Sequence, residues 1–172
     1  MPNTFIKIAS VTVGAGGAST IDFTSIPATY TDLCVKISTR SAVAGTSQDD
    51  INVTFNGSTS SYTWRNILGS GSSAISQNGA TAYIRMSAVT PNAGTTASAF
   101  SNAEIYVPNY AGSTNKSASI DMVSEANQTS TYMGLIAGLW SNTSAITQIT
   151  LTGASGNFVQ YSTATLYGIS KS

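Results

Sequence analysis

The sequence predicts an all-β fold, one domain spanning residues 1–172 and built of about ten short antiparallel strands packed as a sandwich or barrel. Three observations carry this expectation. Apolar and polar residues alternate with a period of two over most of the chain. Clusters of Gly, Pro, Asn and Ser interrupt the alternation at short intervals, and no window of helix length offers an apolar stripe at helical spacing.

Taken in order, residues 6–13 and 19–23 are rich in Val, Ile and Thr, which suit a pleated surface, and the glycines at 14–17 separate them. Ile26-Pro27 marks the next break. Leu33, Val35 and Ile37 then share one face while Lys36, Ser38 and Arg40 share the other. The pattern repeats with Ile51, Val53 and Phe55 against Asn52, Thr54 and Asn56, closed by Asn56-Gly57. Further strands are expected at 82–87, 103–107, 117–123, 146–151 and 164–169. Turns are expected at 69–71, Asn78-Gly79, 91–94, 108–112 and 153–156. Residues 133–140 read as a strand apolar on both faces, central in a sandwich or half-covered by a neighbouring subunit. No repeat or domain boundary is visible.

A domain of 172 residues is large enough to bury a core unaided. Its charge is unusual. Only 8% of residues are charged, and seven basic and seven acidic side chains cancel, so the surface is kept wet by hydroxyls and amides. Such a surface has no basic patch for a phosphate backbone, which argues against nucleic-acid binding. It is also poorly protected against self-association, a liability in a free monomer and harmless in an assembly. No stretch approaches the length of a membrane span, and residues 1–10 lack the pattern of a secretory signal. The chain is therefore expected to be made in a cytoplasm, without membrane insertion.

The absence of histidine removes the commonest general base, the usual metal ligand and the partner that activates Ser or Cys. Cys34 lies in an alternating strand, where a small buried apolar role is expected. A glycosidase would need two carboxylates, and any two of the seven here could face each other across a groove, so the sequence singles out no pair. Asp49-Asp50, the only acidic doublet, matches no calcium-loop spacing and reads as a solvated loop entering the strand at Ile51. Gly14, Gly16 and Gly17 precede neither a lysine nor a helix, so they are turn residues and not a phosphate cradle. Neither catalysis nor a cofactor or metal is expected.

The aromatics leave two readings open. Tyr62, Trp64, Tyr110 and Tyr132 lie near turn-rich stretches and, with Arg65 placed to stack or pair beside Trp64, are candidates for a glycan or partner platform. Packing of the same rings in the core or between subunits is the favoured of the two readings. Candidate interface residues are Met133, Leu135, Leu139 and Trp140.

The run Phe23-Thr24-Ser25-Ile26-Pro27-Ala28-Thr29-Tyr30-Thr31-Asp32-Leu33 is an extended crossing fixed by Pro27, pinned by Tyr30 and launching a strand at Leu33. Followed by Ser38-Thr39-Arg40-Ser41, Phe55-Asn56-Gly57, Leu68-Gly69-Ser70-Gly71 and Ala164-Thr165-Leu166-Tyr167-Gly168-Ile169, it resembles small β-sandwich virion proteins of tailed bacteriophages. That resemblance implies a jelly-roll-like sandwich carried in many copies on the virion, as a head-decoration or cement protein or as part of a tail fibre. No catalytic residues come with it. No anchor domain or coiled-coil shaft precedes the first strand, which favours decoration over a fibre tip. The implied partners are further copies of the chain, with a homotrimer expected, and a major capsid protein or other virion proteins. Host surface polysaccharide is the partner in the receptor-binding alternative.

Overall fold

Twelve strands form two antiparallel sheets in the computed structural model, which describes residues 4–45, 48–128 and 131–170. In chain order they are β1 (Phe5–Thr12), β2 (Thr20–Phe23), β3 (Asp32–Ser38), β4 (Gln48–Phe55), β5 (Tyr62–Gly69) and β6 (Ala74–Thr81). There follow β7 (Ile84–Pro91), β8 (Asn102–Pro108), β9 (Lys116–Ser124), β10 (Tyr132–Trp140), β11 (Ile149–Gly153) and β12 (Thr163–Ile169). No helix occurs among the described residues. An eight-stranded sheet runs β1-β12-β3-β8-β9-β10-β5-β6, and a four-stranded sheet runs β2-β11-β4-β7.

The chain repeatedly crosses between the sheets. Strands β1 and β2 pair with β12 and β11, and strands β3 and β4 pair with β8 and β7, giving two ribbons that each bend from one sheet into the other. The remaining strands, β9, β10, β5 and β6, extend the larger sheet beyond β8. Alternation sends Leu33, Val35, Ile37, Ile105, Ile120, Met122 and Ile136 inward from the larger sheet. They meet Ile21, Phe23, Ile51, Val53, Ile84, Met86 and Leu151 of the smaller one, forming one apolar core. Burial of these side chains is the main force holding the sheets face to face.

Two strands beyond the expected set, β5 and β6, account for the count of twelve. β5 was obscured because its inward row, Tyr62, Trp64, Asn66 and Leu68, contains an amide, while Ile67 points outward. Asn66 is accommodated by donating through Nδ2 to Ser87 Oγ of the opposite sheet at 3.0 Å and by accepting the Gln77 N–H at 3.0 Å. Asn78-Gly79 is not a turn but the middle of β6. Gly79 faces Trp64 across the ladder, and a Cβ there would run into the indole. The turn at Asn56-Gly57 is as expected, with both residues at positive φ, 52° and 65°. Strand β11 starts later than expected because Ile146, although buried, lies in the preceding loop, its N–H bonded to the Tyr110 carbonyl.

Two polar expectations are corrected. Asp49-Asp50 is not a solvated loop: both residues belong to β4, and Asp49 is buried and accepts the Ser41 hydroxyl at 2.8 Å. Asp50 fills a bulge in the β4–β7 ladder, accepting the Ala88 N–H at 2.6 Å and the Arg85 Nε–H at 2.7 Å. Arg40 does not continue the outward face of β3. It turns inward past the strand end and donates to the carbonyls of Ala93, Thr95, Thr96 and Ala99, holding the β7–β8 loop. A guanidinium satisfied by carbonyls can be buried without a carboxylate because its fork offers five donors.

The crossing before β3 is pinned by Tyr30, as its sequence suggests, and also by Tyr110, which the sequence did not single out for this role. The Tyr30 ring lies against Gly168, and the Tyr110 hydroxyl donates to the Pro27 carbonyl while accepting the Tyr30 N–H.

Candidate functional site

The outer face of the eight-stranded sheet carries a contiguous apolar patch. Register places it residue by residue. One row across β9, β10 and β5 is Val123, Met133 and Gly69; the next is Asp121, Leu135 and Ile67. Two further rows are Ser119, Ala137 and Arg65, then Ser117, Leu139 and Thr63. Leu135, Ile67, Met133 and Val123 are 66%, 64%, 63% and 45% exposed, and they sit side by side. Open grooves of about 430 and 450 Å³ run along this face between the side chains. Clustering is what matters here, because single exposed apolar residues are ordinary while a contiguous patch marks a contact surface.

Of the candidate interface residues, Met133 and Leu135 form the centre of the patch, and half-buried Leu139 lies on the same face. Trp140 has the opposite parity. It is buried at the end of β10, stacked on Tyr62 at a centroid distance of 6.0 Å and tilted against Phe55 at 5.8 Å. It belongs to the core, not to an interface. Ile67 and Val123 are the patch members that sequence reading passed over. Their signal was an apolar residue on the polar parity of an alternating strand.

The aromatic platform does not form. Tyr62, Trp64 and Tyr110 are all buried, the first two because even-numbered positions of β5 face the core. Tyr62 links the sheets: its hydroxyl accepts the Phe55 N–H at 2.8 Å and donates to the Phe55 carbonyl at 3.2 Å. Trp64 donates from Nε1 to Thr81 Oγ1 at 3.2 Å. The cation against its ring is Arg85 of β7, 5.9 Å from the centroid, and not the adjacent Arg65, which points to the opposite side of the sheet. Tyr132 remains half-buried at the start of β10. Arg65 and Asp121, both exposed, flank the apolar patch.

The shifted titratable groups owe their shifts to burial and to hydrogen bonds within the fold. Burial pushes the Cys34 thiol above its ordinary range, which disfavours the thiolate a nucleophile needs. Burial likewise raises the Tyr62 and Tyr110 hydroxyls. Tyr106 is raised chiefly by the hydrogen bond it donates to Asp32. Lys116 is fully buried and lowered by desolvation, its ammonium held by the carbonyls of Gly112, Thr114 and Thr143. Each perturbed group is engaged in packing or in bonds to neighbouring segments, and none converges with another on a cleft. Among the described residues, no group of three His, Cys, Asp or Glu side chains is placed to hold a metal ion.

No protein-family model matches the chain, and no curated protein matches its sequence.

Proposed function

We propose that the chain is a non-enzymatic structural protein of a tailed-phage virion, a decoration or cement protein that docks the outer face of its larger sheet onto the capsid. The observation that carries this reading is the patch of Ile67, Val123, Met133 and Leu135, apolar and exposed side by side across β9, β10 and β5 on the outer face of the larger sheet. Contact through such a face depends on buried area and not on chemistry. The low and balanced charge supports the same reading, since a surface of this composition is prone to association. The ordering of two bent ribbons, 1-12-3-8 against 2-11-4-7, supports a jelly-roll core bearing a four-stranded extension, and the resemblance of the crossing at residues 23–33 to small virion sandwiches supplies the virion context.

The test is sedimentation of the purified chain with bare capsids of the phage that encodes it. Co-sedimentation that saturates at a fixed number of copies per particle, and that Leu135→Asp abolishes in a folded protein, is the expected result. A chain that stays in the supernatant, or a Leu135→Asp variant that binds as the parent does, overturns the proposal.

A further inference from the structure

The two sheets present four edge strands, and three of them are blunted. β1 carries Lys7 and a register shift between Lys7 and Ala9. β2 is only four residues long and carries Asp22. β7 ends in Pro91, lies opposite a bulge between Asp49 and Ile51, and holds the Arg85–Asp50 ion pair. Each of these features is a known way of stopping a strand from accepting a neighbour.

β6 has none of them. Its sequence, Ala-Ile-Ser-Gln-Asn-Gly-Ala-Thr, contains no charge and no proline, and its ladder with β5 is unbroken over all eight residues. Among the described residues no strand lies on its other side, and Ser76, Gln77 and Asn78 are exposed at its middle. An edge this long and regular offers unpaired backbone donors and acceptors to another strand.

We infer that two copies of the chain pair antiparallel through β6, about a two-fold axis normal to the sheet near Gln77 and Asn78. The partner is a second copy because the edge is self-complementary. It is uncharged, so no like charges meet across the axis, and an isologous contact needs only the same strand twice. Only a perpendicular two-fold keeps the sheet continuous, so the outer faces of both copies lie on the same side. Their apolar patches then share one surface, with the two β5 strands about three strand spacings, roughly 14 Å, apart. This pairing is a two-fold dimer in place of the expected trimer, and it stands whether or not the outer face binds a capsid.

The experiment is light scattering of the full chain over a concentration series, on the parent, on Ser76→Lys/Asn78→Lys and on Leu135→Lys, with circular dichroism to establish folding. Expected are a dimer for the parent and for Leu135→Lys, and a dissociation constant raised at least about tenfold by the paired edge lysines. Disulfide capture gives a second readout: Gln77→Cys or Asn78→Cys cross-links under oxidation, while buried Cys34 does not. A parent monomeric at every concentration, or a dimer that survives the edge lysines, overturns the inference.

Discussion

Replacing Tyr62 with phenylalanine isolates one polar link between the two sheets. The ring keeps its place, stacked on Trp140 and tilted against Phe55, so packing is conserved and only the hydroxyl is lost. That hydroxyl is buried and serves the Phe55 backbone twice, taking its N–H and giving a hydrogen to its carbonyl. The Phe55 carbonyl retains the Ser58 N–H at 2.9 Å, whereas the Phe55 N–H loses this acceptor in a site closed to water. Leaving a buried donor without its partner costs about 1–3 kcal/mol. For a chain of this length, about 2 kcal/mol corresponds to a fall in Tm of roughly 4–8 °C. Calorimetry of Tyr62→Phe beside Tyr161→Phe, whose ring is two-thirds exposed, is the assay, and the control is expected to be unchanged. A Tyr62→Phe variant melting within about 1 °C of the parent would refute the view that this hydroxyl ties the sheets together.

Three further outcomes are expected. Stability falls as pH rises above about 10, because the raised Tyr62 and Tyr110 contribute fully below the ordinary tyrosine value and lose that contribution through their folded values. Cys34 adds to the loss from about pH 9, while Lys116, shifted the other way, opposes it; urea titration between pH 8 and 11 measures the balance. Arg40→Met costs about 3 kcal/mol and raises hydrogen exchange at residues 92–101, while Arg40→Lys restores only part, since an ammonium cannot reproduce the fork; unchanged exchange in that loop would contradict the assignment. Gly168→Ala drives a methyl into the Tyr30 ring and costs about 1–3 kcal/mol, but much less in a Tyr30→Ala background, a coupling read by a double-mutant cycle.

The fold class was legible because alternation is enforced by geometry. Leu33, Val35 and Ile37, like Ile51, Val53 and Phe55, must share a face in any extended chain, and burial of that face follows. The two-faced character of residues 133–140 was legible for the same reason, and it led to Met133 and Leu135. What alternation does not give is which parity faces in when both rows hold apolar residues. Trp140 and Met133 are an odd number of residues apart and lie on opposite sides of β10.

The sequence by itself determined an all-β chain, with its hydrophobic rows, many of its turns and its low charge, and it made histidine chemistry impossible. Tertiary structure alone decided that Tyr62, Trp64 and Tyr110 are buried, that Arg40 turns inward to hold a loop, and that Ile67 and Val123 join Leu135 across three strands. It also decided that β6 stands at an open edge. The reason is that strand order and cross-strand register depend on contacts between residues far apart in the chain, whereas period and turn chemistry are local.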